Sequence, residues 1–370
     1  MAKGAYIGVN NVARKVKKIY YGVANKAQKV KKGYIGIGGI ARPWFSAEQK
    51  LVYYGAITPL SVARYTLAAT TVGNYALFGG GYFNSVTQSV VDAYNKSLTR
   101  SAPTALSVGR RLLSATTVGD YALFAGGESK TSTYKNTVDA YDGSLTRSTP
   151  TVLSHKTAYL TATTVGNYAL FGGGVGDSPV VDAYNTSLTR TIPTSLSVGR
   201  SSLAATTVGN YALFGGGYSG SASSVVDAYN TSLTRSKPME LSSTRQSLAA
   251  TTVGNYALFG GGTAGGTKRN TVDAYNTSLT RIIATPLSLY KSSLAATTVG
   301  NYALFGGGVD SLNGKDDTVD AYDISLTHSL PTVLSQGRYT LAATTVGNYA
   351  LFGGGYYSTY QSAVDAYTID

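Results

Sequence analysis

The chain has 370 residues, of which 43% are hydrophobic and only 13% charged, with 44 glycines, 30 tyrosines and no cysteine. That composition can bury a large core and favours strands over helices, and it excludes a disulfide framework and any thiolate metal site. No apolar run of about 18 residues is present, so no membrane-spanning helix is expected, and the basic N-terminus lacks the apolar stretch of a secretory signal.

The net charge of +13 is uneven: eleven Lys or Arg and a single acid, Glu48, fall in residues 1–50, leaving the remainder almost balanced. A basic arm (1–46) and a body (47–370) therefore need separate explanations. The arm repeats with a period of 14, as YIGVNNVARKVKKI, YYGVANKAQKVKKG and YIGIGGIARPWFSA, opening at Tyr6, Tyr20 and Tyr34. Asn10-Asn11, Ala24-Asn25 and Gly38-Gly39 stand where two-residue hairpin turns belong, and Lys17-Lys18 and Lys31-Lys32 where second turns would fall. The arm is thus either a small strand array that needs a partner or neighbouring chains, or an extended basic tail. Its candidate docking residues are the three tyrosines with Arg14, Lys15, Lys17, Lys18, Lys29, Lys31 and Lys32. Phosphate neutralisation by such an arm would bind nucleic acid, but a random polybasic tail keeps no 14-residue register.

Over residues 1–45 the arm is similar to the YIGVxxVARKVKKxYIG-type repeats at the N-termini of structural proteins of phages and prophages of Gram-positive bacteria. The resemblance implies a virion component, docked to other virion proteins through residues 1–46, made in the host cytoplasm and released by lysis without a signal peptide. A fibre-like assembly would make it a homo-oligomer, as a trimer.

The body is seven copies of one unit. The TVG glycines fall at Gly73, Gly119, Gly166, Gly209, Gly254, Gly300 and Gly347, in steps of 43 to 47 residues. Each copy reads as four strands: LAATT, YALFGG after a VGN turn, VDAY after a variable loop, and LTR after an NTS-type turn. Four short antiparallel strands at this period form a propeller blade. The glycines suit the crowding near the axis, where close approach and unusual φ angles are needed. The last copy runs out at VDAYTID, while KLVYYGAITPLS near residue 51 aligns with TSLTRIIATPLS at 277–288. Residues 51–57 are therefore expected to complete the last blade and close an all-β, seven-bladed ring.

The glycine doublet, the V-[DE]-x-Y third strand and the basic residue before each blade resemble the Kelch repeat over roughly 51–370. The copies depart from it in lacking the Trp after the Tyr, with Tyr94 followed by Leu98 across a shorter turn. Kelch-type rings include copper oxidases, but these need His ligands and a Cys–Tyr pair, and this chain has only His155 and His328. Sialidase-type propellers need an arginine cluster with Asp, Glu and Tyr that the copies do not assemble. No GxSxG, HExxH or P-loop occurs, and the oxygen-rich Asp310–Asp317 loop lacks EF-hand spacing. No enzyme activity, catalytic residue, metal or cofactor is expected.

Variation is concentrated in 82–89, 128–136, 175–179, 218–224, 263–270, 309–317 and 356–361, all on one expected face, where loops carry binding. Tyr82, Phe83, Tyr134, Tyr218, Tyr356, Tyr357 and Tyr360 are its candidate anchors. Arg64, Arg110, Arg200, Arg245, Lys291 and Arg338 recur before each first strand, with Lys156 beside Thr157 in blade three. A ring of these bases would bind anionic sugars or phosphates; the other reading is that each fixes a connection between blades. Each VDAY Asp is expected opposite the SLTR Arg, as in Asp182 and Arg190. The functional expectation is host cell-surface glycan or receptor binding. The alternatives are a capsid or tail decoration protein contacting other virion proteins, and an intracellular Kelch scaffold with a nucleic-acid-binding arm.

Overall fold

The structure, a computed structural model, describes the backbone of Tyr6–Val9, Val12–Lys15, Tyr20–Val23, Lys26–Lys29, Lys32–Ile37 and Ile40–Ser46. From residue 50 it describes the whole chain apart from residues 131, 132 and 313, with side chains also omitted at residues 1–49 and 130. Two compact units result, residues 1–50 with Asp370 and Leu51–Ile369.

In the first unit Tyr6–Val9 pairs with Val12–Lys15, Tyr20–Val23 with Lys26–Lys29, and Lys32–Ile37 with Ile40–Ser46, all antiparallel. The 14-residue period is therefore a hairpin period, with Val9 facing Val12, Val23 facing Lys26 and Ile37 facing Ile40 across the expected turns. Those turn residues, like Lys17, Lys18 and Lys31, lie outside the described residues. Lys32 is not a turn residue as expected: it starts a strand and pairs with Ser46.

The second unit holds seven four-stranded antiparallel sheets. Blade one comprises Ala68–Val72, Tyr75–Gly79, Val91–Asn95 and Arg100–Ser101. In blade seven, Ala342–Val346, Tyr349–Gly353 and Val364–Ile369 are completed by Leu51–Ile57 from the other end of the body. Tyr54 is the extra residue of a bulge there, between Tyr53 facing Tyr367 and Gly55 facing Ala366. The propeller is closed by this pairing, as its terminal segments imply. Among the described residues no helix is long and apolar enough to cross a membrane.

Second and third strands are buried on both faces because every blade is packed between two others, which is why YALF and VDAY read as continuous apolar runs. The core accordingly lies between blades. One cluster joins Val72, Leu77 and Val91 of blade one to Leu113, Phe124 and Tyr141 of blade two, and another joins Leu351 and Val364 of blade seven to Phe78 and Tyr94 of blade one. A Cβ on Gly79 would lie 2.8 Å from the Phe124 ring of the next blade, so that ring sets the first glycine of YALFGGG. Gly80 has φ +71° and would place a Cβ 2.6 Å from the Arg110 carbonyl oxygen.

The first strand lines the axis, and its two threonines knit the ring. Thr117 Oγ1 donates to the Thr71 carbonyl one blade back, Thr164 to Thr117, Thr207 to Thr164, and so on until Thr71 donates to Thr345. A hydroxyl has one proton, so Thr70 must be the donor in its 2.9 Å contact with Thr117, and likewise around the ring. A second girdle lies at the loop-side mouth. Thr66, Leu112, Tyr159, Ser202, Ser247, Ser293 and Thr340 all have left-handed φ of 51° to 58°. The N–H of each donates to its counterpart one blade back at 2.9–3.1 Å.

Candidate binding face

Six fourth-to-first connections pair with the second-to-third loop of their own blade, through Tyr65 with Tyr82, Arg111 with Glu128, Ser201 with Tyr218, Gln246 with Thr263, Ser292 with Val309 and Tyr339 with Tyr356, while Thr157 of blade three bridges Lys135 in the loop of blade two. The variable segments thus share one face with those connections. The opposite face is constant for a packing reason. Asn95 Oδ1 accepts from the N–H groups of Ser97 and Thr99, and buried Leu98 takes a left-handed φ of 61°. A Cβ on Gly119, in the VGD turn of blade two, would sit 3.0 Å from Thr186 in the next blade's turn.

The repeated bases are not on the surface of the loop face. Arg64, Arg110, Arg200, Arg245, Lys291 and Arg338 are all fully buried. Arg64 Nη2 meets Asp92 Oδ2 at 2.7 Å and the Phe78 carbonyl at 3.1 Å, and Nη1 donates to the Val62 carbonyl. Ser61 N and Arg100 Nη1 donate to the other carboxylate oxygen of Asp92. Burial pushes the Asp92 carboxyl up, but the Arg64 charge and hydrogen bonds from Arg100, Arg64 and Ser61 outweigh it and hold the group below its ordinary value. The same clamp joins Arg110 to Asp139, Arg200 to Asp227, Arg245 to Asp273 and Arg338 to Asp365. The VDAY tyrosine completes it: Tyr94 OH donates to the Thr58 carbonyl of the incoming connection at 2.8 Å. The anionic-ligand ring is therefore corrected to a buried structural clamp.

Two blades vary the clamp. In blade six, Lys291 recruits a second acid, contacting Asp316 at 2.9 Å and Asp320 at 3.0 Å, while His328 replaces the SLTR arginine on Asp320. In blade three, Thr157 occupies the buried position, and Lys156 is exposed. Asp182 is left with Ser154 N, Ser154 Oγ and Arg190 at 3.7 Å, and burial pushes its carboxyl up. His155 Nε2 meets Ser178 Oγ at 2.9 Å. The outer arginines lie diagonal to the Asp rather than opposite: Arg190 faces Tyr184, two residues on, because Leu188 takes the left-handed position in the turn. In the oxygen-rich loop, Asp310 Oδ1 caps the Leu312 and Gly314 N–H groups and Asp316 is held by Lys291.

The aromatic candidates divide. Tyr134 and Tyr218 stand apart in blades two and four, Tyr134 paired with Glu128 and Tyr218 with Ala222. Tyr82, Phe83, Tyr356 and Tyr360 come together where blades seven and one meet, around Tyr65, which sequence reasoning missed. Tyr65 lies 5.9 Å from Tyr82, 5.5 Å from Tyr356 and 5.8 Å from Tyr360 between ring centroids. Tyr360 lies 5.1 Å from Phe83 and 5.6 Å from Tyr356, and Tyr339 lies 5.7 Å from Tyr356. Tyr357 is exposed, with Lys315 Nζ 5.7 Å from its ring. Arg111 of blade two stacks over Tyr82 at 4.4 Å and is bonded through Nε to Glu128 Oε2. The missed signal is one alignment column: RYTLAAT occurs in copies one and seven alone, and its Tyr bridges the residue following the glycine cluster. Inside the mouth girdle is a depression of about 230 Å³, lined in part by Thr66, Leu112, Tyr159 and Thr340.

No family model matches the chain, and no curated protein does. The chain is a seven-bladed β-propeller. Among solved structures it is similar to the one described as "Structure of YjhT", with a TM-score of 0.61 and 12% identity, covering 75% of this chain and 99% of that one. At such identity the likeness shows the fold alone.

Proposed function

We propose that this protein is a particle-borne adhesion module of a phage or prophage. In this reading its hairpin arm docks to other virion proteins and its propeller presents one face to a host cell-surface glycan or receptor. The observation that carries the binding half is the ring cluster at the seam, with Phe83 36% exposed and Tyr65, Tyr82, Tyr356 and Tyr360 half-buried. Variation of the loops alone would not carry it, since packing between turns explains why the other face is constant. The repeated Asp, Arg and Tyr of each blade are spent on holding connections, which supports a binding role over an enzymatic one. The docking half rests on the 14-residue hairpin register and its likeness to virion N-termini.

The test has two parts. Mass spectrometry of particles from a producing culture should find the full chain, and the purified protein should bind Gram-positive cells in competition with wall polysaccharide. Presence in particles without cell binding would favour the decoration reading. For that reading the apolar edge of blade five is the relevant feature, with Ile282 42% and Ile283 60% exposed on the outer strand Arg281–Ala284. Absence from particles, together with a salt-sensitive DNA shift, would favour an intracellular scaffold.

A further inference from the structure

The seam cluster allows a narrower statement, resting on the adhesion reading: the chemistry of what is bound. We infer that Tyr65, Tyr82, Phe83, Tyr356 and Tyr360 form a stacking platform for a neutral pyranose sugar, one site per chain, at the junction of blades seven and one.

The cluster is not a packing requirement of the repeat. At the column of Tyr65 the middle blades carry Arg111, Ala158, Ser201, Gln246 and Ser292, and at that of Tyr82 they carry Glu128, Val175, Tyr218, Thr263 and Val309. Five blades therefore fold without the facing pair of rings that blades one and seven possess. Three of the four phenol groups are not used internally; Tyr356 alone donates, to the Ser358 carbonyl at 3.2 Å. All seven VDAY tyrosines donate to a backbone carbonyl, as Tyr94 does to Thr58 and Tyr367 to Thr332. By contrast, the hydroxyls of Tyr65, Tyr82 and Tyr360 make no hydrogen bond among the described residues. Half-buried rings with unspent hydroxyls present apolar faces beside polar rims. A pyranose has the matching distribution, with C–H groups on its faces and hydroxyls around its edge. The adjoining charge is already balanced, because Arg111 over Tyr82 is paired with Glu128 at 3.1 Å, so the site favours a neutral sugar over an anionic one.

The test uses the full chain on an immobilised array of neutral and anionic oligosaccharides, followed by titration with the neutral oligosaccharide that scores highest. Tyr65→Ala and Tyr360→Ala are each expected to weaken binding about tenfold or more, the range of central aromatic anchors. Tyr218→Ala, an exposed tyrosine at the same column in blade four, is expected to change it less than about twofold. Tyr65→Phe keeps the ring and should lose only part of the affinity, and Phe83→Ala serves should a tyrosine variant fail to fold. Binding of anionic sugars only, no sugar binding, or equal loss in Tyr218→Ala would overturn the inference. Protein that binds cells but no sugar would sink the pyranose platform and leave the adhesion reading standing. Protein that binds sugars at this site but no cells would do the reverse.

Discussion

Replacing Arg110 with Met keeps an unbranched apolar stem and removes the guanidinium of one clamp. Arg110 Nη2 contacts Asp139 at 2.5 Å and the Phe124 carbonyl at 3.0 Å, and Nη1 donates to the Thr137 carbonyl at 2.9 Å. The substitution leaves a fully buried carboxylate with only Arg147 and Ser107 N, and two carbonyls short of a donor. Breaking a buried pair from one side costs about 3–5 kcal/mol, whereas Arg147→Met removes a side chain 24% exposed and leaves Asp139 its buried Arg110 partner, and should cost about 1 kcal/mol or less. Urea unfolding followed by circular dichroism measures both. A folded Arg110→Met protein should also keep its ligand affinity, since the guanidinium never reaches the binding face. Equal costs for the two variants, or an Arg110→Met protein that is stable but loses binding, would refute the clamp account.

Blade three inverts the electrostatics of blade one. Asp92 is held below its ordinary pKa of 3.8, so its stabilisation is present at neutral pH and disappears as pH falls through that range. Asp182 is pushed above 3.8, so its ionised form carries a penalty at neutral pH that is relieved as pH falls. At pH 7, Asp92→Asn should lower the urea midpoint and Asp182→Asn should leave it unchanged or raise it; the same sign for both would contradict this. Removing residues 1–46 should leave a cooperative thermal transition, while removing 1–57 takes away the closing strand and should abolish it. Gly80→Ala should cost about 2 kcal/mol or more by unfolding, from its left-handed φ and the close Arg110 carbonyl; a neutral effect would count against the inter-blade crowding.

The ring was legible because each repeat spells its own strands and because the segment near Leu51 aligns with a fourth strand. The hairpin arm was legible from paired turn residues at fixed period. The fate of the bases was legible only as two alternatives, an anion-binding ring or a fixing of connections between blades, because a fixed distance before a strand does not reveal that Arg64 turns inward onto Asp92. The diagonal register of Arg190 was hidden by a leucine in a conformation usually left to glycine or asparagine. The seam was half legible. Tyr82, Phe83 and Tyr360 stand out in variable loops, but Tyr65 sits in a constant-looking stretch; it meets Tyr82 within its own blade, and Tyr356 and Tyr360 reach it only through ring closure.

The seam, and not the ring of bases or the face at large, is the proposed point of attachment to a cell surface. Binding isotherms of full-length protein and of the Tyr65→Ala, Tyr360→Ala double variant on intact Gram-positive cells, before and after periodate oxidation of their polysaccharide, test it most directly. Saturable binding that is lost in the variant and on oxidised cells is the expected result. Undiminished binding by the variant would contradict the account.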